Sequence, residues 1–145
     1  MDEMTDGRWR ELSDDECRAL LARTHLGRIA VVDGGRPLIL PVNYVLDEAD
    51  VVFRTDSGSK LDAAGLGQPV AFEVDGVDIA SRTGWSVVVR GRAEHVSDEV
   101  HLEKLRRLPL VSWAPGAKPH YVRISPHELT GRRISVLALP STWWG

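Results

Sequence analysis

The residues best equipped for chemistry fall within one short segment: Arg54, Thr55, Ser57, Gly58, Ser59 and Lys60. Two cations bracket three hydroxyls and a glycine. The glycine lets the backbone approach a ligand closely, the hydroxyls and amides donate hydrogen bonds, and Arg54 and Lys60 carry charge opposite to that of a phosphate. A helix starting near Ser59 would add the positive end of its dipole. The chemistry this implies is capture of a phosphorylated cofactor. The competing reading is a pair of solvated charges at a strand end.

The strand before this segment carries a second group, Pro41, Val42, Asn43 and Tyr44. By pattern alone Tyr44 is more commonly a core residue with its hydroxyl satisfied. Asn43 is harder to place in a core, because an inward asparagine needs partners for up to about four hydrogen bonds. Of the five tryptophans, Trp85, Trp113, Trp143 and Trp144 offer flat surfaces for a ring system or a dimer seam, or are ordinary core residues. Trp113 lies in a Pro/Gly loop, which suits a pocket wall. The histidines, His25, His95, His101, His120 and His127, form no i, i+4 pair and no His-Glu-x-x-His pattern, so no metal site is expected. There is no Gly-x-Ser-x-Gly elbow, Walker loop or dinucleotide fingerprint. No side chain declares itself catalytic. Cys17 reads as a small buried hydrophobe.

Several elements must hold these groups. Residues 1–11 read as a loose lead-in. Ser13-Asp-Asp-Glu16 has capping-box spacing and opens a helix over residues 14–24 whose apolar face is Leu12, Cys17, Leu20, Leu21 and Thr24. Arg28–Val32 and Pro37–Leu46 are strands joined by the hairpin turn Asp33-Gly-Gly-Arg36, and the meander continues through Val51–Arg54. Leu61–Leu66 is a short helix ended by Gly65 or Gly67. Pro69–Asp75 and Trp85–Val96 are strands on either side of a polar turn, and Gly91 marks a bulge or bend in the second. Ser97-Asp-Glu-Val100 caps a further helix that ends before Pro109. Tyr121–Ile124 and Ile134–Leu139 are the last strands. About seven sequential strands with two or three short helices imply an antiparallel β-barrel with peripheral helices, since closure removes exposed edges.

At 145 residues the chain fits a single domain, residues 1–145, able to bury a core without staples. The apolar share of 43% and charged share of 27% are those of a soluble globular protein, and no apolar run or leader pattern argues for a membrane. One cysteine cannot form an internal disulfide, so a cytoplasmic location is expected. A net charge of −3, with basic and acidic residues interleaved, excludes a general attraction to nucleic acid.

Taken in order, Leu12-Ser-Asp-Asp-Glu16, Pro41-Val-Asn-Tyr44, Phe53-Arg-Thr55, Gly58-Ser-Lys60, Phe72-Glu-Val-Asp75, Gly84-Trp-Ser-Val87, Gly91-Arg-Ala93 and Thr130-Gly-Arg132 resemble the pyridoxamine-phosphate-oxidase-like flavoproteins, in particular their compact, nitroimidazole-reductase-like branch. The resemblance covers residues 11–139. It implies a split β-barrel homodimer with FMN bound in grooves at the subunit interface. Carried over by position, Arg54, Thr55, Ser57 and Lys60 hold the FMN phosphate, and Pro41, Val42, Asn43 and Tyr44 line the isoalloxazine edge. Trp85, Ser86 and Trp113 become contributions from the partner subunit. The C-terminal segment with which the oxidase proper recognises pyridoxal-type substrates has no counterpart here. The implied activity is an FMN-dependent oxidoreductase in which the flavin carries the hydride or electron chemistry. A reduced nicotinamide is a possible donor and a small electrophile the acceptor. Two alternatives stand beside it. One is a deazaflavin-dependent reductase, served by a basic groove of Arg82, Arg90, Arg92, Arg123, Arg132 and Arg133. The other is a flavin or haem carrier or sensor without turnover, with His120 or His127 as the haem ligand.

Overall fold

The computed structural model describes residues 9–135. Their strands belong to one antiparallel sheet, which curls around a core. In chain order they are β1 (Trp9–Glu11), β2 (Leu26–Asp33), β3 (Arg36–Asn43), β4 (Val45–Asp47), β5 (Asp50–Thr55), β6 (Pro69–Asp78), β7 (Thr83–His95) and β8 (His120–Ser135). The helices are α1 (Asp14–Arg23), α2 (Lys60–Gly65) and α3 (Glu99–Arg106). The lateral order is β3-β2-β6-β7-β8-β5-β4, and β1 pairs with β8. β3 and β4 are therefore opposite ends of the sheet, yet Tyr44 alone separates them in the chain. The sheet must curl until its ends meet, and because β3 and β4 do not pair, the result is the split antiparallel β-barrel expected from the sequence.

Local chemistry explains the elements. The Ser13 hydroxyl accepts from the Glu16 amide while the Glu16 carboxylate accepts from the Ser13 amide, which starts α1 as a capping box. Cys17, Leu20 and Leu21 on one face of α1 then plug the barrel beside Ile29, Phe53, Phe72, Val74, Val87, Val89 and Ile124. Each fully buried leucine contributes about 1.5–3 kcal/mol. Gly34 and Gly35, at φ 56° and 81°, supply the left-handed conformations of the two-residue β2–β3 turn. The pairing of β7 with β8 shifts register between Arg90 and Gly91, where Gly91 faces Pro126 and Arg90 faces Glu128. A bulge is there, but its extra residue, His127, is on β8 and not in the strand where the sequence reading put it. A Cβ at Gly91 would collide with the Ser125 carbonyl oxygen, so glycine is required by this close approach.

The structure departs from the sequence reading in four further places. Residues 9–11 of the supposed lead-in are β1, anchored to Arg132–Ile134 of β8. The strand read as Pro37–Leu46 breaks at Tyr44, where the chain leaves β2 and joins β5. The turn expected from Gly76 begins only after Asp78, because β6 and β7 pair out to Asp78–Thr83. The two strands read at 121–124 and 134–139 are one strand that crosses the bulge, described as far as Ser135. Residues 136–139, Trp143 and Trp144 lie outside the described residues.

Candidate functional site

Where β3 leans against β5 without pairing, a cavity of about 320 Å³ opens. One wall is Leu40, Pro41, Val42 and Asn43 of β3. The other is Arg54 and Thr55 of β5 with Asp56, Ser59, Lys60 and Leu61, and Ser112, Ala114 and Lys118 of the following loop close over it. The two groups of residues singled out from the sequence thus face each other across the gap.

Each cation has a different status. Arg54 donates from Nε to the Lys118 carbonyl at 2.9 Å and from an Nη to the Ala117 carbonyl at 2.9 Å, and its guanidinium lies 5.4 Å from the Tyr121 ring centre. It clamps the loop over the cavity. Lys118 is bound to Asp56, whose carboxylate accepts from its amide at 2.6 Å and its Nζ at 3.2 Å. These bonds hold the Asp56 carboxyl below the usual range, the amide contributing most. Lys60 has no hydrogen-bond or ion-pair partner among the described residues.

Thr55 is the informative hydroxyl. It is only 3% exposed, and its Oγ1 has no hydrogen-bond partner among the described residues. Burial of an unpaired hydroxyl costs about 1–3 kcal/mol, so such an atom on a cavity wall marks a place where a ligand completes the bonding. A phosphoryl oxygen between Lys60 and Thr55 would do so. The residues present therefore fit a phosphate-bearing cofactor.

Other expected members sit elsewhere. The Ser57 hydroxyl bonds His120 and is not on the cavity wall. Tyr44 is 1% exposed, donates its hydroxyl to the Leu21 carbonyl at 2.6 Å and meets Phe72 edge-on. Its place is the core, and burial pushes its phenol up to about 12. Asn43 does line the cavity, and half of its bonding capacity is used within the chain: Oδ1 accepts from the Trp113 amide at 2.8 Å and Nδ2 donates to the His25 carbonyl at 3.3 Å. Asn43 thereby holds the Trp113 backbone at the loop, with the indole 69% exposed. Trp85 and Ser86 lie on β7, apart from this cavity; Trp85 packs on the core and Ser86 lines a separate surface depression with Trp9, Arg90 and Arg132. The expected helix near Ser59 is α2, only six residues long, and its first turn is capped in part, the amides of Lys60 and Leu61 having no acceptor among the described residues. The Ser59 hydroxyl accepts from the Asp62 amide and the Asp62 carboxylate accepts from the Gly58 amide.

Sequence reasoning missed Asp56, Ser112, Ala114 and Lys118. The last three lie in an irregular loop whose return over β5 is decided by the Arg54 clamp, and no local pattern encodes that.

The curled half-barrel and its cavity at the split define a class, the flavoprotein-type split barrels. Residues 13–133 match the pyridoxamine 5'-phosphate oxidase family, and the chain belongs to that family. It is 39% identical over 129 residues to an uncharacterised protein of Mycobacterium tuberculosis, covering 86% of this chain and 84% of the relative. Among solved structures it is similar to the FAD binding protein from Mycobacterium smegmatis, with 41% identity, a TM-score of 0.77 and coverage of 86% of this chain and 97% of the other. A FAD-binding protein from Mesorhizobium loti aligns at 29% identity with a TM-score of 0.71, covering 88% and 99%.

Proposed function

We propose that this chain is a flavin-dependent oxidoreductase acting on a small molecule, a cytoplasmic homodimer that grips its flavin by the phosphate next to the ribityl chain. The observation that carries this reading is the buried Thr55 hydroxyl, without a partner among the described residues, on a cavity wall shared with Lys60. The FAD-binding relatives support the choice of flavin among phosphorylated cofactors. The inner phosphate is common to FMN, expected from the sequence, and to FAD, so the same cavity residues serve either.

When bound, a flavin supplies hydride and single-electron transfer. The chain orients and shields it. Lys60 contributes the uncommitted positive charge, Thr55 a donor already desolvated, and Arg54 keeps the roof loop closed through Ala117 and Lys118. Leu40, Val42 and Leu61 give the cavity an apolar floor that excludes water. A dimer is supported by the exposed apolar side chains Val32 and Ile39 on the β2–β3 hairpin, the free end of the sheet. A reduced nicotinamide is the proposed donor. Among the described residues no helix is long and apolar enough to cross a membrane.

The test is the absorption spectrum and ligand mass of the purified protein, with Lys60→Glu beside the wild type. Flavin should copurify with the wild type or bind on titration. Lys60 is exposed, so the variant should remain folded while flavin affinity falls at least about tenfold, as expected when a charge-assisted contact becomes a repulsion. A wild type that binds no flavin, or a variant with unchanged occupancy, refutes the assignment.

A further inference from the structure

Beside the cavity lies a polar array that the phosphate grip does not use. The Ser57 hydroxyl is hydrogen-bonded to His120 Nε2. The His120 ring stacks on that of His95, with centres 5.0 Å apart and planes inclined by 21°. His95 Nε2 is 3.1 Å from an Asp62 carboxylate oxygen, and the other oxygen of Asp62 accepts from the Gly58 amide at 3.1 Å. The register explains how distant residues converge. Thr55 pairs with His120 and Val122 pairs with His95, and directly opposed residues of an antiparallel pair share a face of the sheet. Thr55, His120 and His95 therefore project from the same face at one end of the barrel, where Ser57 and α2 reach over them.

Building on the flavin reading above, we propose that Ser57 and His120, backed by His95 and Asp62, form a subsite for the outer phosphate of a flavin dinucleotide, so that this chain selects FAD over FMN. Two features carry the assignment. The first is donor supply. In either tautomer the Ser57–His120 pair leaves one hydrogen to give. If His120 Nε2 carries the proton and donates to Ser57, the serine hydroxyl is turned outward as a donor; if Ser57 donates to Nε2, the proton of His120 is on Nδ1, which has no partner among the described residues. The second is charge distribution. The terminal phosphate of FMN concentrates its charge on one phosphorus, whereas of the cavity cations Lys118 is paired with Asp56 and Arg54 is turned to the Ala117 and Lys118 carbonyls. Lys60 is the cavity cation with no hydrogen-bond or ion-pair partner among the described residues. The diphosphate of a dinucleotide spreads its charge over two groups, one meeting Lys60 and Thr55 and the next meeting Ser57 and His120. Asp62 serves this indirectly, by holding His95, and through the stack His120, in place.

The experiment titrates FAD, FMN and a deazaflavin coenzyme separately into flavin-free wild type, Ser57→Ala and His120→Phe by calorimetry, with thermal unfolding as the fold control. Phenylalanine at 120 keeps a ring against His95 while deleting its nitrogens. Wild type should bind FAD about tenfold or more tighter than FMN, the scale of a hydrogen bond to a charged group. Each variant should weaken FAD about tenfold and move FMN by less than twofold. Equal affinity for FAD and FMN in the wild type overturns the proposal, as does a parallel loss of both in the variants. So does tighter binding of the deazaflavin coenzyme than of FAD. These outcomes leave the flavin reading intact, whereas failure of all three ligands to bind the wild type removes that reading itself.

Discussion

Thr55→Val should stabilise the empty protein and weaken the loaded one. Valine matches threonine in shape, so the substitution deletes the hydroxyl and leaves no cavity. In the empty chain that hydroxyl belongs to a residue only 3% exposed and has no partner among the described residues, a state that costs about 1–3 kcal/mol. Removing it returns part of that cost, and for a chain of this size each kcal/mol moves the melting temperature by about 2–4 °C. With flavin bound, the same hydroxyl donates to a phosphoryl oxygen, a bond worth about 1.5–3 kcal/mol, so valine should weaken flavin binding about tenfold or more. The opposite signs distinguish a binding hydroxyl from an ordinary core threonine. The assay is differential scanning calorimetry of wild type and variant, each with and without flavin, combined with isothermal titration of the flavin-free proteins. A variant that melts lower when empty, or that binds flavin as tightly as wild type, refutes the reasoning.

Asn43→Ala removes the bonds to Trp113 and His25; it should lower stability by about 1–2 kcal/mol and raise the rate of flavin dissociation in stopped-flow measurements, because the roof loop loses its tether. Tyr44→Phe leaves the Leu21 carbonyl without its buried donor and should cost about 1–3 kcal/mol in denaturant unfolding with no change in flavin affinity, in keeping with a core position. The Glu16 carboxyl is held down to about 2, chiefly by Arg10 and then by the Ser13 amide. A carboxyl depressed in the folded state stabilises above its unfolded value and loses that contribution as pH falls towards 2. The acid limb of a stability profile should therefore flatten between about pH 4.5 and 2 in Glu16→Gln relative to wild type, and an unchanged limb would remove Glu16 from the account.

Legibility followed the range of the interactions. Local signals carried their elements: the Ser13 capping box and the Asp33–Arg36 turn depend on a few neighbouring residues and could be read directly, and Gly91 marked the place of the bulge but not the strand that carries its extra residue. The pairing of Tyr44 with Leu21 could not, because the break between β3 and β4 is decided by two different partner strands. The site divides in the same way. Pro41, Val42, Asn43, Arg54, Thr55 and Lys60 line one cavity because each group is contiguous in the chain and β3 and β5 meet. Arg54, read as a phosphate ligand, lines the cavity and also clamps the roof loop, a role hidden from the sequence because its acceptors, Ala117 and Lys118, lie more than sixty residues away. The His95–His120 stack escaped notice for a related reason: histidine spacing along the chain says nothing about cross-strand register.

The cavity owes its existence to the way β3 resists closure. In a two-residue hairpin Asp33 and Arg36 form a hydrogen-bonded pair, so Leu38, Leu40 and Val42 turn their amides to β2 while positions 37, 39, 41 and 43 turn theirs to the open edge. Two of those outward positions are Pro37 and Pro41, which have no amide hydrogen to offer. A strand zipping along that edge would lose hydrogen bonds at both, and β5 does not complete the barrel there. The edge is protected from aggregation and the gap is kept open by the same two residues. A barrel that closed fully would gain ladder bonds and lose the space between Val42 and Thr55. On this view the cavity wall that carries Thr55 and Lys60, both without a partner among the described residues, is a consequence of a split that the edge prolines enforce and that a phosphate-bearing ligand can fill.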